Sequence, residues 1–205
     1  AAVTDLDAGM VTVAQANGFA GMQSNTAMFG WPGDRPERLA RILALVRKMS
    51  GLEKCSLVYR HALKRHAEQG RTIVVWWKGR EHNGDLMLLL SHLLCGSPDW
   101  RTARVVLKSV VHTEDERRHR QLEFGALLPE ARIDAEVDVV VVGQDEDVAE
   151  AIRSHSRDAD LVLLGMNTPE PGEELAYAER LVHLVEGLPS TLLVKNAGPF
   201  RGRLV

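Results

Sequence analysis

The chain has 205 residues, 45% of them hydrophobic and 26% charged, proportions that are typical of a folded globular protein. Its net charge of −3 provides no overall basic field, so nucleic acid is not an expected partner. Cys55 and Cys95 stand outside any CxxC or Cys/His spacing, which argues against a zinc site and a disulfide framework and fits a reducing, cytosolic setting. The longest apolar runs, residues 86–90 and 137–142, are too short to span a bilayer, so no direct membrane insertion is expected.

The N-terminal third contains few predicted elements. The pattern predicts helices over residues 3–16 and 36–49 and short strands over residues 27–31 and 56–60. Two strands and two helices make a poor independent core. We therefore interpret residues 1–66 as a partial first α/β lobe, an incomplete copy of the plan that follows, which either packs against the second lobe or has lost its own leading strands to truncation.

From residue 71 onward, strand-like and helix-like segments alternate. The strands are continuous apolar runs, a pattern typical of parallel strands that helices cover on both faces. Right-handed crossovers then give a doubly wound, Rossmann-like sheet. The predicted fold class is α/β, with a complete β/α lobe at residues 71–198 and a tail at residues 199–205. Predicted strands lie at residues 73–77, 104–111, 135–142, 160–165 and 191–195, and predicted helices at residues 86–94, 113–128, 147–156 and 173–185.

Local signals set the predicted helix ends. Asp85 is the expected N-cap of the first helix in the second lobe. Thr113 with Glu116 forms a capping-box pattern, and Pro129 is expected to stop that helix. In the last helix, Leu175 is expected to face the core with the other apolar residues of its stripe.

Two adjacent tryptophans, Trp76 and Trp77, lie in one predicted strand, so their side chains should point to opposite faces of the sheet. The favoured interpretation is that a different helix layer covers each ring. The other interpretation is that one of the rings anchors an interface with a partner.

The sequence has no pattern typical of catalysis or metal binding. The acidic run at residues 145–147 fits a solvated helix start, and the eight histidines lack a spaced ligand set. Ser91 precedes His92 within an apolar helix, and a catalytic triad is not assembled from sequential residues. The basic run at residues 117–120, balanced by nearby acids, fits a solvated helix face better than a lipid-binding patch. We expect no catalytic residue, no metal and no cofactor, although a free-standing hydrolase stays open as a third hypothesis.

Phosphate-binding loops are also missing, since neither a Walker loop nor GxGxxG follows a strand. The β/α order resembles the universal stress protein family, whose nucleotide-binding members carry Gly-x2-Gly-x9-Gly-Ser/Thr after the fourth strand. Gly165 matches the first glycine, but Thr168 stands at the second position and the third glycine is missing. If a ligand binds nevertheless, its loops are expected to contain Gly143, Gly165 and Asn167.

Several phrases in one order resemble the cytosolic C-terminal domain of cation–chloride cotransporters. Residues 25–32 (NTAMFGWP) resemble its NTxxxGWP segment, and residues 75–77 (VWW) with 83–90 (NGDLMLLL) resemble its VWW…GGLxLLLPYLL stretch. Ser91 and His92 replace the family's Pro-Tyr, and the long phosphorylated insertions of animal members are missing. Bacterial permeases of the amino acid–polyamine–organocation superfamily carry a similar tail. Weaker matches in the same order lie at residues 17–22, 132–137, 158–162 and 186–194.

The resemblance implies a domain on the cytoplasmic side of the cell membrane, related in fold to universal stress proteins. It implies two partners, the membrane transport domain of the same polypeptide and a second copy in a homodimer. The first hypothesis is therefore a non-catalytic regulatory and dimerisation domain of a secondary transporter, and we expect the sequence to be part of a longer protein. The alternative is a universal-stress-protein-like domain that senses a nucleotide or another small molecule at the carboxyl ends of its strands.

Overall fold

The computed structural model describes residues 5–16, 18–19, 22–62, 71–78 and 83–198. In these ranges the helices are α1 Leu6–Ala16, α2 Pro36–Gly51, α3 Asn83–Cys95, α4 Glu114–Glu130, α5 Val148–Ser154 and α6 Glu174–Val185. The strands are β1 Gly18–Phe19, β2 Met22–Gln23, β3 Thr26–Gly30, β4 Cys55–Arg60, β5 Thr72–Trp76, β6 Arg104–Val111, β7 Glu136–Val141, β8 Leu161–Gly165 and β9 Ser190–Lys195.

Strands β3 to β9 form one seven-stranded sheet in the order β3-β4-β9-β8-β5-β6-β7. Among the described strands of this sheet, neighbours are parallel except for β4 and β9, which pair antiparallel. When β5 to β9 of the second lobe are numbered 1 to 5, their order in the sheet is 3-2-1-4-5, as in doubly wound folds. The predicted α/β class and parallel sheet are therefore confirmed. The short β1–β2 pair is a separate sheet that the sequence pattern did not predict.

Helices cover the central strands of the sheet on both faces, which explains why these strands are apolar without alternation. Side chains of α2, α5 and α6 form one core with Trp76, and side chains of α3 and α4 form a second core with Trp77. Trp76 donates its indole N–H to the Ser156 hydroxyl at 2.9 Å, and Trp77 meets the Phe124 ring edge-on at 6.0 Å between centroids. Only 5% of Trp76 and 4% of Trp77 is exposed. This burial favours the core interpretation over an interface role for either ring.

Two predicted helix ends need correction. In the described residues α3 starts at Asn83, so Asp85 lies inside its first turn and is not the N-cap. Pro129 lies within α4, which ends at Glu130. The missing N–H of Pro129 does not interrupt the hydrogen bonds that follow it, since Ala131 N still donates to Leu127 O.

Two side-chain predictions have opposite outcomes. Thr113 is the N-cap of α4, as predicted, and its hydroxyl accepts from the Glu116 N–H at 3.2 Å. Leu175 is 45% exposed, so its predicted core position is wrong. At about 100° per residue, Leu175 falls beside the buried stripe that Ala178, Leu181 and Val185 form on α6.

The first lobe repeats part of the second, as the sequence pattern suggested. The order α1-β3-α2-β4 matches α5-β8-α6-β9, with strands of five and six residues in each set. The first residues of matching strands are separated by the same spacing. Thr26 of β3 and Leu161 of β8 are 135 positions apart, and so are Cys55 of β4 and Ser190 of β9. Residues separated by this spacing are called counterparts below.

The two halves of this repeat are related by an approximate twofold axis. Val58 on β4 lies opposite Leu193 on β9, and these two residues are themselves counterparts. The axis therefore passes between them, and α2 packs against α6 across it. Strands of both predicted lobes thus share one continuous sheet. The predicted tail at residues 199–205 lies outside the described residues, as do residues 63–70 between the two lobes.

Candidate functional site

In a doubly wound sheet, ligands bind at the carboxyl ends of the strands where the strand order reverses. Here that point lies between β5 and β8. The described residues around it are Asn83 at the start of α3, Gly165, Met166 and Asn167 at the end of β8, and Asn196 after β9. We call this region the switch-point crevice.

Asn83 fills the switch-point crevice. Its side-chain nitrogen Nδ2 donates to the Met166 carbonyl at 3.0 Å, and its oxygen Oδ1 accepts from the Asn196 N–H at 2.8 Å. A Cβ at Gly165 would lie 3.1 Å from Asn83 Nδ2. In a nucleotide-binding loop, a phosphate would approach a glycine on the side where it has no side chain. At Gly165 the Asn83 side-chain amide covers that side.

Asn83 was not a predicted site residue, although the Asn-Gly pair before an apolar helix was visible in the sequence. The backbone groups that its side chain binds, in Met166 and Asn196, lie 83 and 113 positions away along the chain. A local pattern cannot show hydrogen bonds over such distances.

The helices that open at this edge carry carboxylates where a phosphate would need positive potential. Asp85 lies in the first turn of α3, Glu116 in that of α4 and Glu174 in that of α6. The Glu116 carboxylate accepts from the His112 N–H at 2.7 Å, and the Glu174 carboxylate accepts from the Gly172 N–H at 2.8 Å. These acids neutralise the positive ends of the helix dipoles, which makes the edge unfavourable for an anion.

The loop after β8 is held from both lobes. The Tyr177 hydroxyl accepts from the Asn167 N–H at 2.7 Å, and Arg47 of α2 donates to the Pro169 carbonyl at 3.2 Å. Arg47 also pairs with Glu174. Burial raises the pKa of the Tyr177 hydroxyl above its usual value.

The structure brings together only part of the predicted ligand loop. Gly165 and Asn167 lie at the switch-point crevice, whereas Gly143 follows β7 at the edge of the sheet, with β5 and β6 between β7 and β8. At Gly143, the Glu146 carboxylate would meet an added Cβ at 3.4 Å.

The other residues weighed in the sequence have local structural partners. Ser91 is buried and its hydroxyl donates to the Leu88 carbonyl at 2.7 Å. Asp147 caps α5 by accepting from the Ala149 N–H at 2.9 Å. Across the part of the chain that the structure describes, no group of three or more His, Cys, Asp and Glu side chains could hold a metal ion. The basic run of α4 forms the ion pairs Arg117–Glu114, Arg118–Asp115 and Arg120–Glu123.

The Arg47–Glu174 pair predicts a pH dependence. The backbone N–H of Glu174 and then the Arg47 guanidinium lower the pKa of the Glu174 carboxyl. A lowered pKa contributes stability that is present above the unfolded-state pKa and is lost as the pH falls through the folded-state value. Glu174→Gln should therefore lower the midpoint of thermal unfolding at pH 7, and the difference from the parent protein should shrink on acidification.

Glu173→Gln is the matched control, because Glu173 is the exposed neighbouring glutamate. Thermal unfolding followed by circular dichroism from pH 7 to about pH 3 measures both variants. A Glu174→Gln difference that stays constant over that range would contradict the assignment.

None of the helices within the described ranges combines the length and the apolarity needed to cross a bilayer.

No protein-family model matches the chain. Among solved structures, it is similar to the cytoplasmic domain of a prokaryotic cation chloride cotransporter, with a TM-score of 0.67 and 18% identity over 95% of this chain and 70% of that one. It is also similar to a universal stress protein from Archaeoglobus fulgidus DSM 4304, with a TM-score of 0.58 and 11% identity over 94% of this chain and 66% of that one. At these identities the likeness shows the fold. The chain therefore has the α/β fold that the resemblance implied, one shared by universal stress proteins and the cytoplasmic domain of a cation chloride cotransporter.

Proposed function

We propose that the chain is a non-catalytic regulatory domain of a membrane secondary transporter of the cation–chloride cotransporter kind. It would lie on the cytoplasmic side of the cell membrane, joined to the transport domain of the same polypeptide. The observation that carries the proposal is the filled switch-point crevice, in a fold that such a cytoplasmic domain shares. In this proposal the domain acts through packing against its partners and performs no reaction.

The contacts of the nucleophilic side chains support a role without catalysis. The Cys55 thiol is buried and faces Asn196 Oδ1 at 3.4 Å, and the Ser91 hydroxyl is engaged with its own helix. The Tyr177 hydroxyl is bound to the loop after β8. Each of these groups is therefore held by a structural partner.

Nucleotide binding separates this proposal from the sensor alternative. With ATP, ADP, AMP or cyclic dinucleotides at millimolar concentration, we expect no change in the midpoint of thermal unfolding. A ligand present at 100 times its Kd would stabilise the protein by about 2.7 kcal/mol, which such an experiment detects readily. A saturable upward shift with any of these nucleotides would favour the sensor and contradict the proposal.

The proposed partners need a test in the full polypeptide. The full-length polypeptide that contains this chain is reconstituted in liposomes. Its ion transport is then compared with that of a variant from which residues 5–198 have been deleted. Altered ion flux or altered dimer content, with membrane insertion retained, is the expected result. Unchanged flux together with unchanged assembly would overturn the regulatory role. Sedimentation velocity of the isolated chain tests the homodimer separately, through a mass that rises with concentration.

A further inference from the structure

The edge strand of the second lobe, β7, turns part of its backbone away from the sheet. Val142 N donates to Val111 O of β6, and alternate residues of a strand direct their backbone groups to the same side. The N–H and C=O groups of Val137, Val139 and Val141 therefore point away from β6, which is the only described strand that pairs with β7. An edge of this kind is a template for pairing with another chain.

The side chains of the same three valines lie on one face of β7, because they are two positions apart along the strand. Val139 belongs to the core that α3 and α4 cover. Val137 and Val141 belong to the exposed large apolar side chains, with 36% and 37% of their surface accessible. A strand added to this edge would remove apolar surface from water at both positions, which favours association.

The opposite face of β7 carries two acids, and charges on an edge strand usually oppose pairing. Here each acid has a cation beside it on β6. Arg104 pairs with Glu136 at 3.4 Å, and Lys108 pairs with Asp138. These four side chains have no net charge together, so the acids give the edge little protection against strand addition.

We propose that β7 is the surface through which two copies of the chain form a homodimer, with β7 of one copy paired antiparallel to β7 of the other. Two identical edge strands that join in one sheet are related by a twofold axis, and this symmetry makes the pair antiparallel. The two seven-stranded sheets then form one continuous sheet. The inference rests on the homodimer of the proposed function and assigns its surface.

The valines select one register for this pair. With Val139 opposite Val139 of the second copy, Val137 lies opposite Val141 at both ends, and every outward N–H and C=O group of the three valines finds a partner. Apolar side chains directly opposite each other stabilise a sheet. A register centred on Val140 instead would leave Val137 opposite Gly143, which has no side chain to cover it.

The acids on the other face agree with the same register. Centred on Val139, the pair places Asp138 opposite Val140 of the second copy and Glu136 opposite Val142, so no acid faces an acid. A register centred on Asp138 would place two aspartates directly opposite each other, which is destabilising.

Paired substitutions at positions 137 and 141 test the surface and the register together. Val137→Lys with Val141→Lys sets lysine opposite lysine and should weaken dimerisation of the isolated chain about tenfold or more. Val137→Lys with Val141→Glu sets lysine opposite glutamate and should leave dimerisation within about threefold of the parent protein. Sedimentation equilibrium gives the dissociation constants. Both positions are partly exposed, so the variants should fold, which circular dichroism checks.

Met28→Lys is the matched control, because Met28 is an exposed apolar residue on β3, the edge strand at the other side of the sheet. This variant should dimerise as the parent protein does. Amide hydrogen exchange measured by NMR gives a second readout. In a sample that is mostly dimer, exchange at Val137, Val139 and Val141 should be about fivefold slower or more than in a dilute sample, with Val140, whose N–H faces β6, unchanged.

A dimer that Val137→Lys with Val141→Lys leaves as tight as the parent dimer would overturn the β7 surface, while the homodimer itself would stand. Equal weakening by both paired variants would overturn the register. A chain that stays monomeric up to about 1 mM would overturn the surface and the homodimer together. Ion transport by the full-length polypeptide tests the regulatory role separately, so failure of that role is distinguishable from failure of this inference.

Discussion

Replacing Gly84 with alanine is expected to destabilise the protein by about 1–3 kcal/mol, the range typical of overpacking in a core. Gly84 is buried at the start of α3, directly against the Trp77 ring. An alanine Cβ there would lie 2.2 Å from Trp77 Cζ3. The ring cannot yield easily, because Trp77 is itself buried and packs edge-on against Phe124. Urea denaturation gives the free energy of unfolding for the variant and for the parent protein.

Gly125→Ala is the matched control for this prediction. Gly125 lies within α4, is exposed, and has no atom within 4 Å of an added Cβ. Because alanine favours the helix over glycine, this variant should gain about 0.5–1 kcal/mol. A Gly84→Ala protein as stable as the Gly125→Ala protein would show that Trp77 does not pack against α3 in this way.

Asn83→Ala is expected to destabilise the protein by about 2 kcal/mol, because the Met166 carbonyl and the Asn196 N–H lose a hydrogen bond at buried positions. Asn167→Ala in the same crevice is the control, since Asn167 is exposed and takes part through its backbone N–H. The control should remain within about 0.5 kcal/mol of the parent protein. Equal unfolding free energies for the two variants would contradict the role of Asn83 in closing the crevice.

These two predictions give a physical reason for part of the sequence resemblance. The tryptophan pair and Gly84 lie in the two phrases, residues 75–77 and 83–90, that resemble the cotransporter domain. In the structure Trp77 requires the missing side chain at Gly84, and Asn83 closes the switch-point crevice against Gly165.

Properties that depend on neighbours in the chain were determined by the sequence itself. Continuous apolar strands between amphipathic helices predicted a parallel sheet covered on both faces, and β6 was predicted with its observed bounds, Arg104–Val111. Adjacent residues of a strand must point to opposite faces, which placed Trp76 and Trp77 in different cores. The cap at Thr113 also followed from a pattern within four residues.

Other features were decided by the tertiary structure alone, because they join parts of the chain that lie far apart. No local pattern indicates that β4 pairs antiparallel with β9, and this pairing merges both lobes into one sheet. The closure by Asn83 needs partners beyond Gly165 and after β9, and the exposed edge at Met28 is evident only beside its buried counterpart Leu163. Side-chain amides and edge strands carry no periodicity, so their partners are selected by packing after the elements have formed.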